Sequence, residues 1–158
     1  MAAIARRAVL ALFATSFAAT ADQPRDVLQV IHYVASALAD GNPSDAMVPF
    51  DKSFSKYAKL RDYFDGLTNA FQISSEVDVT EEQDSDQNTN LTLQWQLTLT
   101  DRANNANIHR SAEIHAQVRR VNGKWKIVDF TPVDFFSPDF SSTSARAESQ
   151  PPRRSHLA

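Results

Sequence analysis

The residue that first suggests chemistry is Asp129. It sits in V-N-G-K-W-K-I-V-D-F-T-P-V-D-F-F-S-P, residues 121–138, a single carboxylate between the apolar rows of a strand. A carboxylate surrounded by apolar neighbours holds its proton to higher pH and can then act as a general base near neutrality. The competing reading is that Asp129 only ends a strand, hydrogen-bonded to a backbone amide or paired with Arg120. Other chemistries find little support. His32 falls beside the apolar stripe of a helix, His109 next to a turn, His115 on an outer sheet face and His156 near the C-terminus. No pair of them has the helical or alternating spacing of a metal site, so no metal is expected. The serines form no nucleophile elbow. Gly41, Gly66 and Gly123 all have turn or helix duties, which leaves no phosphate loop. With no cysteine, disulfides, thiolate metal sites and cysteine nucleophiles are excluded together. No cofactor is called for.

The elements that position these residues fall into two halves. Val27, Val30, Ile31, Val34 and Leu38 recur at helical spacing, with Asp22 placed to cap, Pro24 in the first turn and Gly41 just past the end. N-P-S-D-A-M-V-P-F-D predicts a short second helix capped by Ser44 or Asn42, with Ala46, Met47 and Phe50 on its apolar side. Tyr57, Leu60, Phe64, Leu67 and Phe71 share one face of a third helix over residues 56–70, which Gly66 weakens by about 1 kcal/mol relative to alanine.

After Phe71 the period changes to two. Ile73, Val77 and Val79 mark a strand, and E-E-Q-D-S-D-Q-N-T is expected as the loop that follows it. Its acidic residues lack the glycine and terminal glutamate of a calcium loop. Leu91, Leu93, Trp95, Leu97 and Leu99 alternate with Thr92, Gln94, Gln96, Thr98 and Thr100, a half-buried strand. Residues 101–107 read as a turn. Ala112, Ile114, Ala116 and Val118 alternate with Glu113, His115, Gln117 and Arg119 in a further strand. Asn122-Gly123 then predicts a type I′ hairpin, placing Val121 opposite Lys124, Arg120 opposite Trp125, Val118 opposite Ile127 and Ala116 opposite Asp129. On strict alternation Asp129 points inward, while Val128 and Phe130 point outward with His115 and Gln117.

The first residues put Arg6 and Arg7 before a short apolar run and finish on Ala19-Thr20-Ala21, the pattern of a secretory signal over residues 1–21. An exported protein, periplasmic or secreted, is expected, with a domain over 22–138 and a disordered tail over 139–158. The run is too short for a stable membrane anchor. Removing residues 1–21 leaves 14 of the 16 Lys+Arg against all 19 Asp+Glu, a formal net charge of −5 rather than −3. That acidic balance argues against nucleic acid as a partner.

Three helices followed by a long curved antiparallel sheet, with the A-M-V-P-F-D and Y-A-K-L-R-D-Y-F segments and the closing G-K-W-K-I-V-D-F hairpin, resemble the nuclear-transport-factor-2-like superfamily. Its SnoaL-like cyclases and ketosteroid isomerases are included in that likeness, which spans about residues 22–138. The resemblance implies an α+β cone: helices packed on a concave antiparallel sheet with a pocket between them, and a homodimer formed through the sheet. The fold by itself sets no activity. The leading expectation is a non-enzymatic binding module holding a small apolar ligand in the cone, a protein partner on the sheet face, or both. The ligand-binding candidates are Tyr33, Tyr57, Trp95, Trp125 and Asp129. The alternative is a SnoaL-like isomerase or cyclase with Asp129 as base and Tyr33, Tyr57 or Tyr63 steadying the developing oxyanion. The outer row of Thr92, Gln94, Gln96 and Thr98 with His115 and Gln117 is semi-polar, as a partner-binding face would be.

Overall fold

The computed structural model describes residues 23–139. The expected export segment, the Asp22 cap and the tail from residue 140 onward lie outside the described residues. Helix α1 is Gln23–Ala39, α2 Pro43–Met47 and α3 Tyr57–Ala70. They precede four strands, β1 Phe71–Asp84, β2 Asn88–Asp101, β3 Asn107–Val121 and β4 Lys124–Thr131, and a closing 3₁₀ turn, Val133–Phe136. The strands form one antiparallel sheet in the order β1-β2-β3-β4, with the helices on one face. This is the expected α+β architecture.

Each helix forms where its apolar stripe meets the sheet. α1 buries Val27, Ile31, Val34 and Leu38. It ends at Gly41 (φ +71°), where the Gly41 amide reaches the Leu38 carbonyl and the Asn42 amide reaches that of Ala37. Asn42, not Ser44, caps α2, its side chain accepting from the Asp45 amide at 3.3 Å. α3 buries Leu60, Phe64 and Leu67. Gly66 has a local reason, because a Cβ there would stand 2.8 Å from Cγ of Pro138, which lies against the helix.

The sheet departs from expectation in two places. β1 continues through Glu81–Asp84, where a loop was expected. After a bulge at Thr80 these residues pair with Thr89–Thr92, and Thr89 donates to the Asp84 carboxylate at 2.7 Å. The side chains of residues 80–84 are all exposed, so the strand carries no period-two signal there.

The second departure moves Asp129. The Asn122-Gly123 turn (φ 52° and 78°) fixes Val121 opposite Lys124, Arg120 opposite Trp125 and Val118 opposite Ile127, as read from the sequence. A bulge at Val128 then slips the register by one. Asp129 lies opposite Gln117 and points outward, and Phe130 lies opposite Ala116 and is fully buried. The expected inward Asp129 and outward Phe130 are both overturned. The cause is energetic: strict alternation would bury an unpaired carboxylate, at several kcal/mol, and expose an aromatic ring whose burial contributes about 1.5–3 kcal/mol. One extra strand residue removes both penalties.

The buried row from here runs Ile127, Phe130, Val133, Phe136, one residue in three. It carries the chain from strand into 3₁₀ turn through a cis Thr131-Pro132 bond. The sheet's two edges also differ. Along β4, Ile127 bridges to Phe50: its amide donates to the Pro49 carbonyl at 2.8 Å and its carbonyl accepts from the Asp51 amide at 2.9 Å. Along β1, the described residues have a strand neighbour on one side only.

Candidate functional site

The concave side of the sheet is filled by its own side chains. Trp95, at the middle of β2, is fully buried. It meets Phe130 and Phe136 edge-on, with ring centroids 5.9 and 5.4 Å away, and its indole N–H donates to the Ser75 hydroxyl at 2.9 Å. Phe64 of α3 meets Phe136 edge-on at 5.2 Å, and Phe50 meets Phe130 at 5.3 Å. Edge-to-face contacts of this kind add about 0.5–1.5 kcal/mol each beyond the area they bury. Phe136 touches α3, β2 and β4 partners at once, as a stopper would.

That stopper is pinned. Arg110 belongs to the inward-facing row of β3 and donates through Nη1 to the carbonyls of Phe135 and Ser137, both at 2.7 Å. Burial lowers the guanidinium's pKa, and the two carbonyls supply hydrogen-bond partners in place of water. On the helix side, Tyr63 donates to the Asp134 carboxylate at 3.0 Å and Lys59 pairs with the same oxygen at 2.8 Å. Asp134 is thereby held below the ordinary carboxylate value, first by Lys59 and then by Tyr63, and Lys59 is raised in return.

The residues singled out from the sequence do not converge on one site. Tyr33 stands exposed on α1, Tyr57 is half-buried at the start of α3, and Trp95 is the centre of the core. Trp125 is half-buried beside the Arg120 guanidinium, 5.0 Å from its ring. Its indole nitrogen is buried with no partner among the described residues. Asp129 is on the opposite face from the cone, exposed, accepting from the Phe130 amide at 2.9 Å. Of these five, Asp129 borders a depression on the outer face, and none lines the groove between α1 and β1. That depression is a shallow polar hollow of about 360 Å³, shared with Glu81, Asn90, His115 and Gln117. Among the described residues no group of histidines and carboxylates is arranged to hold a metal ion.

What sequence reading missed is the pinned turn. Arg110 could have been found by running the alternation of Ala112 and Ile114 two residues back onto an arginine, and Phe136 by noticing the spacing of three.

The outer face is of another kind. Thr92, Gln94, Gln96, Thr98 and Thr100 stand beside Asn107, His109, Ser111, Glu113, His115 and Gln117. They are tied across strands: Gln94 to Ser111 at 2.7 Å, Thr98 to His109 at 3.1 Å, Thr100 to Asn107 at 2.8 Å and Gln117 to Asn90 at 3.2 Å. The β2 and β3 rows carry one carboxylate here, Glu113, which pairs with His115 at 3.2 Å, and they are flanked by Glu76 and Asp78 of β1 and Asp129 of β4.

Comparison with known proteins agrees with this geometry. No family profile matches the sequence, and no curated protein does either. Solved structures do match. A ketosteroid isomerase-like protein from Erwinia carotovora atroseptica superposes with a TM-score of 0.60 at 9% identity, over 70% of this chain and 95% of its own. A nuclear-transport-factor-2-like protein of unknown function from Shewanella oneidensis gives 0.56 at 10% identity, over 68% and 96%. The chain has the nuclear-transport-factor-2-like fold. A conserved protein from Planctomyces limnophilus shares that fold at a TM-score of 0.63 and 11% identity, over 68% of this chain and 92% of its own. Identities this low establish the nuclear-transport-factor-2-like fold and leave activity to the site itself. Here the cone is stoppered and Asp129 lies outside it, which removes Asp129 as a base acting in the cone.

Proposed function

We propose that this protein is an exported, non-enzymatic binding module of nuclear-transport-factor-2-like fold, working through the outer face of its sheet, where it pairs with a second copy of itself. The observation that carries this is the contrast in occupancy. The concave side is filled by Trp95, Phe64, Phe130 and Phe136, whereas the outer face of β2 and β3 is a broad Thr/Gln surface with a single carboxylate. Interface cores are depleted in charge, while a purely solvated sheet usually carries more of it. The cross-strand bonds hold this surface in one arrangement, which lowers the entropy lost on docking.

The test is mass against concentration, by light scattering or sedimentation. Wild-type protein is expected to move from monomer to dimer as concentration rises. Gln96→Glu sets a new charge on each copy's outer face and is expected to shift that equilibrium to monomer without changing the circular dichroism. A wild-type chain that stays monomeric at its highest soluble concentration overturns the self-pairing reading.

A further inference from the structure

The β1 edge of the sheet, which has no further strand beside it among the described residues, offers a second surface. Strand β1 is 14 residues long and, among the described residues, has only β2 as a strand neighbour. Edge strands are normally kept short or carry lysine or proline, because their free backbone groups recruit further strands. β1 has neither residue. It carries Glu76, Asp78, Glu81, Glu82 and Asp84 with no basic residue, and none of the five forms an ion pair among the described residues. The Glu82 carboxyl is raised, first by partial desolvation and then by the neighbouring Asp84.

Beside this edge runs a groove of about 610 Å³ between α1 and β1. Ala35 and Val77, both nearly buried, form its floor, and Glu76 and Asp78 its rim, with His32 and Ser36 on the helix side. A strand laid along β1 would alternate its side chains between that floor and that rim.

We propose that the open edge of β1 is a strand-addition site for an extended basic segment of a partner protein, its apolar side chains resting on Ala35 and Val77 and its lysines or arginines facing Glu76 and Asp78. Charge selects this occupant. A second copy pairing edge to edge would set two carboxylate-bearing strands against each other, and like charges opposite one another destabilise a strand pair. A basic strand neutralises the row instead. Glu76 and Asp78 stand opposite Gln96 and Gln94 at the margin of the Thr/Gln face, but strand addition is read by peptide binding and self-pairing by mass against concentration, so the two fail separately.

The probe is a short labelled peptide of alternating lysine and valine, titrated into the full chain and followed by fluorescence anisotropy. Saturable binding is expected, together with slowed amide exchange confined to β1. The double variant Glu76→Gln/Asp78→Asn is expected to weaken it about tenfold. N-methylation of alternate peptide amides is expected to abolish it, because backbone pairing is then blocked. Equal binding of a glutamate–valine peptide, binding unaffected by N-methylation, or protection on β2 and β3 in place of β1 would each overturn the proposal. So would binding seen only after the chain is cut back to residue 139, since the edge would then belong to the chain's own C-terminal residues.

Discussion

The two faces of one sheet answer to different rules. Along β2, Leu91, Leu93, Trp95, Leu97 and Leu99 face the helices and are almost completely buried, while one residue away Thr92, Gln94, Gln96 and Thr98 face outward, Gln94 and Thr98 bonding across to Ser111 and His109. The inner face is specified by shape: edge-on aromatic rings fit one arrangement, and interiors packed at crystal-like density do not tolerate missing groups. The outer face is specified by polarity, its side chains tied to one another by cross-strand hydrogen bonds. Evolutionary freedom and binding capacity should therefore both concentrate on the outer side.

The strongest way to break this contrast is Phe136→Ala. Its ring touches Phe64, Trp95 and Phe130, and its loss is expected to lower unfolding free energy by about 3–5 kcal/mol in urea titration. Gln96→Ala, on the other face, should stay within about 0.5 kcal/mol. Similar losses from the two would erase the distinction. Next comes Arg110→Met, which keeps the stem and removes the donors to Phe135 and Ser137. The two orphaned carbonyls predict a loss of about 1–3 kcal/mol and faster amide exchange in residues 133–137, ahead of the sheet.

Gly66→Ala refines the account of the stopper's rim. The helix should gain about 1 kcal/mol from alanine, but the new Cβ meets Pro138, so the gain is expected to be absent in the wild-type background and to return when Pro138 is replaced by glycine. The smallest effect is one of pH. Asp134 is held below its ordinary value of 3.8, so its contribution is complete above that pH and fades as pH falls through the lowered value. Acid should loosen the 3₁₀ turn before the sheet, read by amide exchange, and Asp134→Asn should remove that dependence.

Much of this fold was legible because burial imposes periods. α1, α3 and β2 were readable from the spacing of Val27, Ile31, Val34 and Leu38, of Leu60, Phe64 and Leu67, and of the leucines around Trp95. Asn122-Gly123 set the hairpin register because few other residues adopt positive φ at both positions. Legibility failed where a period changed. The end of β1 is wet on both faces, so nothing alternates there. Past Ile127 a bulge converts a period of two into one of three, and a rule that assumes regular alternation then places every later side chain on the wrong face. The site suffered most, since Asp129 stands just beyond that slip. The residue type of Phe130 was the available correction, because a large aromatic ring is a poor candidate for an outward position when its neighbour is a carboxylate.

The spacing of three from Ile127 to Phe136 also has a consequence in time. The residues that complete the core are among the last of the described chain, and the Phe50–Ile127 bridge joins segments far apart in sequence. During synthesis the helices and the first three strands emerge before Phe130 and Phe136, the rings that pack edge-on against Trp95 and Phe64. The domain has to wait for its own C-terminal turn, so it closes late and all at once.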